Sequence, residues 1–84
     1  MLLNKEDILK KHCYTELVYQ RINKKLVTVL SKKQIENLIY KLIKETDLSC
    51  FEKIGKNFYI SSKTNNIKIT VNSNTYRVIT VNKI

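Results

Sequence analysis

The stretch SKKQIENLIYKLIKETDLSCFEKIGKNFYI (31–60) decides the fold, because the hydrophobic period changes inside it. Ser31 and Gln34 have the S-x-x-Q form of a capping box. Ile35, Leu38, Ile39, Leu42 and Ile43 then recur at i, i+3, i+4, i+7 and i+8. That spacing places them on one side of an amphipathic helix over about 32–45. After Asp47 the helical period stops. Cys50–Ile54, Gly55-Lys56-Asn57 and Phe58–Ser61 read as a hairpin around the only Gly of the chain.

Downstream, Thr64-Asn65-Asn66 is a turn signal, since Asn tolerates positive φ better than most residues. Ile67, Ile69 and Val71 alternate with Lys68, Thr70 and Asn72, the pattern of a half-buried strand. Ser73-Asn74 makes the next turn, and Tyr76–Val81 (YRVITV) is apolar on both faces, which suggests a central strand.

Upstream, Asn4 is the expected N-cap, with Glu6 and Asp7 set against the helix dipole. Ile8, His12, Thr15, Tyr19, Ile22 and Leu26 fall on one helical stripe, and Leu9, Cys13 and Leu17 on a neighbouring one. The two stripes fit one kinked helix over about 5–25; the alternative is a break near Thr15, which would cap a second helix. Leu26–Leu30 (LVTVL) reads as a packed connection. The expected architecture is α+β: two N-terminal helices on one face of an antiparallel meander of three to four strands. The chain reads as a single domain, 1–84, with its helical part at about 5–45 and its β part at about 50–83.

The 84 residues carry 16 Lys plus Arg against 7 Asp plus Glu, a formal charge of +9. A basic chain invites a polyanion partner, because cations that meet phosphates release counterions. Composition tempers that reading. Fourteen of the 16 are Lys, and the chain has no Ala and no Pro beside 11 Ile and 9 Asn, the usage of an AT-rich genome. Such a bias would turn Arg to Lys, so the two that persist, Arg21 and Arg77, carry more information than any Lys. Each could instead hold an ion pair with Glu16 or Glu52.

The candidate contacts to RNA, DNA, a nucleoprotein or another partner are Tyr14, Arg21, Lys24, Lys25, Lys33, Lys44, Lys68 and Arg77. On a single first helix, Lys10, Tyr14, Arg21 and Lys25 would share a face, with Lys24 at its edge. Lys33, Asn37, Tyr40, Lys41 and Lys44 lie opposite the apolar stripe of the second helix. An ordinary solvated helix face is the competing explanation.

His12 is the one imidazole and the only catalytic candidate, as the base of a metal-independent ribonuclease toxin. Its place on an apolar stripe favours the commoner explanation, a hydrogen-bonded, partly buried His. With a single Gly no phosphate-binding loop is possible, and no nucleophile elbow or zinc spacing is present. We therefore expect no cofactor and no metal. Cys13 and Cys50 are expected as reduced, small core residues. No signal-peptide pattern and no membrane-length apolar window occurs, so the expected compartment is the cytoplasm.

The segments CYTELVY (13–19), RINKKL (21–26), GKNFYI (55–60) and NNIKITVNSNTYRVITVNKI (65–84) resemble a family of small bacterial proteins, domain of unknown function 3781. The resemblance implies a small cytosolic prokaryotic domain. It supplies no activity and no catalytic residues. The expected function is non-enzymatic polyanion binding, with a protein–protein module, such as a phage or mobile-element inhibitor or accessory protein, as the alternative.

Overall fold

The computed structural model describes residues 5–84; the expected N-cap Asn4 lies outside them. Three helices, α1 (Lys5–Lys11), α2 (Glu16–Leu26) and α3 (Lys32–Glu45), precede a short 3-10 turn at Leu48–Cys50. Four strands follow: β1 (Phe51–Ile54), β2 (Asn57–Ser62), β3 (Ile67–Asn72) and β4 (Val78–Lys83). They form one antiparallel sheet in chain order. The α+β class holds, with three helices where two were expected.

The helix expected over 5–25 is broken, and hydrogen bonding explains why. At Cys13 the chain leaves the helix and pairs with Arg77 as a parallel bridge. The Cys13 N–H donates to the Tyr76 carbonyl at 2.9 Å, and the Val78 N–H donates to the Cys13 carbonyl at 2.9 Å. Two strong backbone bonds to the sheet edge replace the helical bonds lost. Thr15 then takes the N-cap position of α2 in an extended conformation. Tyr76 adopts φ 59, and this left-handed residue brings its carbonyl to Cys13.

Because Cys13 serves the bridge through its backbone, its thiol lies exposed, 3.7 Å from the Thr75 carbonyl. Cys50 is half-buried and both thiols are free. Neither is the core residue expected.

Helix α3 begins and ends as its sequence indicates. The Ser31 hydroxyl accepts from the Gln34 N–H at 3.2 Å, and the Gln34 side chain accepts from the Ser31 N–H at 2.8 Å. Ile35, Ile39, Leu42 and Ile43 are buried. They meet Ile8, Val18 and Ile22 from the other helices and the sheet residues Phe58, Ile60, Ile69, Val71, Val78 and Val81. One face of the sheet thus closes the core. The other carries Tyr59, Ser61, Lys68, Thr70 and Thr80.

The connection after α2 is packed only at its ends, where Leu26 and Leu30 lie against the core. Val27 and Val29 are 81% and 99% exposed. Val27 sits at φ 56, a left-handed helix end that a β-branched residue rarely takes. Polar bonding to Asn23 holds the middle of the loop. Its amide nitrogen donates to the Leu30 carbonyl at 3.0 Å, and its oxygen accepts from the Thr28 hydroxyl and the Leu30 N–H, both at 2.9 Å.

Strand β4 is an edge strand, not the central one its apolar sequence suggested. A register shift opposite Thr70 and Val71 explains the pattern. Val71 pairs with Val78 and Thr70 with Thr80, leaving Ile79 without a partner across β3. The bulge resets the alternation, so Val78 and Val81 both reach the core. Turn chemistry elsewhere is as read, with Gly55 at φ 61 and Asn66 at φ 56.

Candidate functional site

Two surfaces meet at the 12–15 connector. The first is a basic ridge along α2 and β4. Leu17, Arg21, Lys24 and Lys25 repeat at helical spacing on the exposed side of α2 and line a surface groove of about 630 Å³. Leu17 and Arg21 also line a smaller cleft of about 150 Å³ with Arg77 and Ile79. Both arginines of the chain therefore stand at one cleft, and no Asp or Glu lines either groove.

Arg21 is fixed in part by the fold. Its guanidinium donates from Nη1 to the carbonyl of the bulged Ile79 at 3.1 Å. One donor of the five is used in this way, which leaves the rest of the fork for a ligand. Lys25 Nζ donates to Asn82 Oδ1 at 3.3 Å. Neither arginine forms an ion pair among the described residues. Glu16, the partner expected for one of them, is bound by Lys32 at 2.6 Å.

The second surface is an aromatic cleft of about 470 Å³ between α1, the connector and α3. His12 Nδ1 lies 2.9 Å from both the Ile8 and Leu9 carbonyls. Carbonyls only accept, so this nitrogen carries a proton. In the neutral ring Nε2 then accepts from the Tyr14 hydroxyl, 3.1 Å away. Tyr14 stacks on Tyr19 at 5.4 Å between centroids and 15° between planes. Tyr19 donates to Glu36 Oε2 at 2.6 Å.

Burial raises the Tyr14 hydroxyl well above the ordinary phenol range, and the charges of Glu36 and Tyr19 add to it. The Tyr19 hydroxyl is pushed up to about 12, first by desolvation and then by its bond to Glu36. Both hydroxyls stay protonated at neutral pH, so each keeps a proton to donate. Tyr40, 44% exposed, lies 6.3 Å from the His12 ring.

The residues expected to bind a partner thus separate. Arg21, Lys24, Lys25 and Arg77 come together. Tyr14 belongs to the aromatic cleft, because the break at Cys13 turns it away from the α2 face it was expected to share. Lys33 and Lys44 lie on the exposed side of α3, as expected. Lys68 lies on the polar face of the sheet, its Nζ 5.9 Å from the Tyr59 ring centroid. Glu36 and Tyr19 were not expected at a site, and Asn37 was expected only on the polar side of α3. Glu36 lies near the start of α3, and only the packing of that helix against α2, which carries Tyr19, reveals its place.

Among the described residues no three His, Cys, Asp or Glu side chains are grouped as a metal site requires. No helix among them is long and apolar enough to cross a membrane. No curated protein and no solved structure matches the chain. One family does, over residues 6–82, and the chain therefore belongs to the protein family of unknown function DUF3781.

Proposed function

We propose that the protein binds the phosphate backbone of a nucleic acid through the ridge formed by Arg21, Lys24, Lys25 and Arg77. The observation that carries this reading is the convergence of both arginines with two lysines on grooves that no acidic residue lines. A scattered surplus of lysine, left by codon bias, would not collect the two arginines in one cleft. Guanidinium groups suit phosphate because their planar fork bonds two oxygens at once. Exposed Leu17, 69% accessible, lines both grooves and offers apolar contact to sugars or bases.

A ridge of this kind contacts backbone more than base edges, so it is blind to sequence. The test is anisotropy of a labelled single-stranded oligonucleotide at rising salt. Affinity should fall steeply, with a logarithmic slope of about 0.7 for each phosphate contacted. Affinity indifferent to salt, or no binding at low salt, would overturn the proposal.

A further inference from the structure

We propose that the aromatic cleft binds a guanine ring, either as a free nucleotide or as an unpaired base of a strand. For a base within a strand this rests on the phosphate-binding reading; for a free nucleotide it does not.

The shape calls for a flat group. The rings run in a row along the cleft: Tyr40 lies 6.3 Å from His12, His12 meets Tyr14 edge-on at 5.4 Å, and Tyr14 stacks on Tyr19. Bases stack on such rings whatever their identity. A cationic ligand fits less well. The two faces of Tyr19 are already taken, one by Tyr14 and one by the Lys32 ammonium at 5.5 Å. Lys10 lines the cleft as well, and the whole chain is strongly positive.

Glu36 selects among flat groups. Its Oε2 accepts from Tyr19, and Oε1 has no hydrogen-bond partner among the described residues. A carboxylate only accepts. Guanine alone among the common bases offers two neighbouring donors, N1–H and N2–H, on one edge. Adenine and cytosine place an acceptor beside their amino group, and uracil flanks its single N–H with two carbonyls. Each of those sets a lone pair against the carboxylate. Asn37 lines the same cleft and brings an amide donor suited to the guanine O6. Lys10 brings a cation for the phosphate of the same nucleotide. The hydroxyls of Tyr14 and Tyr19 are tied to His12 and Glu36, so the cleft is organised before a ligand arrives.

The test is calorimetric titration of the full chain with GMP, AMP and UMP, beside a pair of equal-length oligonucleotides with and without guanine. GMP over AMP, or the guanine oligonucleotide over its guanine-free counterpart, should be favoured by about tenfold or more. The first result identifies the free nucleotide as a source, and the second alone identifies the strand. Glu36→Gln keeps an oxygen for Tyr19 but presents an amide to the ligand, so it should abolish the preference while the circular dichroism melt stays cooperative. Tyr40→Leu, at a partly exposed position, should weaken every base about tenfold without changing the preference. Equal binding of GMP and AMP together with equal binding of the two oligonucleotides overturns this inference. So does a preference that survives Glu36→Gln. Salt-dependent binding blind to base identity would do the same while leaving the ridge standing.

Discussion

The ridge on α2 and the cleft beside α3 lie on either side of the same four-residue connector, yet they are built in opposite ways. The ridge is made of long cationic side chains, of which Arg21 and Lys25 each have one hydrogen bond to the protein. The cleft is made of rings locked to one another and to a carboxylate. Flexible cations attract charge at a distance but discriminate little, whereas pre-set rings and a fixed acceptor discriminate but attract weakly. Affinity and selectivity are thus assigned to different surfaces, and substitutions should separate them.

The largest effect should come where the two surfaces share a foundation. Ile22 is fully buried on the inner side of α2. Ile22→Ala should cost about 2–5 kcal/mol in urea unfolding and disturb both surfaces together. A smaller effect should fall on one side only. Ser31→Ala removes the capping box of α3, which carries Glu36, Asn37 and Tyr40, and should cost about 1 kcal/mol. Oligonucleotide affinity at the ridge should not change; a parallel loss would show that the two surfaces are coupled. Within the ridge, Arg21→Gln should lower stability by up to about 1 kcal/mol, through the lost bond to Ile79. Arg77→Gln, whose side chain bonds nothing among the described residues, should stay within about 0.5 kcal/mol of the parent.

Alkaline titration sharpens the cleft side. A tyrosine whose folded pKa is raised binds more protons folded than unfolded once pH exceeds the unfolded value near 10. Stability from Tyr14 and Tyr19 is therefore complete below pH 10 and declines as pH rises towards about 12. Ultraviolet titration should show these two of the five tyrosines ionising late, and Tyr19→Phe should remove one late component.

The sequence shows α3, the β1–β2 hairpin and the turns at Gly55 and Asn66 plainly. Each rests on local chemistry: a capping box, a 3.6-residue period, a residue that tolerates positive φ. What it hides depends on distant partners. Nothing near Cys13 announces that its backbone will pair with Arg77, so the break between α1 and α2 stayed one of two readings. The bulge at Ile79 disguised an edge strand as a central one, because two core-facing valines three residues apart imitate apolar residues on both faces. Among site residues, the arginines were legible as exceptions to a lysine-rich composition. Glu36 was not, since its value lies in facing Tyr19 from another helix.

The central claim is that the placement of charge, rather than its amount, makes the binding surface. Two variants test it most directly. One replaces Arg21, Lys24, Lys25 and Arg77 with Gln; the other replaces Lys33, Lys44, Lys53 and Lys56, which are exposed and away from the ridge. Each lowers the formal charge from +9 to +5. The measurement is the salt dependence of binding to one single-stranded oligonucleotide. The ridge variant should lose about 0.7 in logarithmic slope per lost contact and roughly a hundredfold in low-salt affinity, while the other stays close to the parent. Equal losses in both variants would contradict the account, since only total charge would then matter.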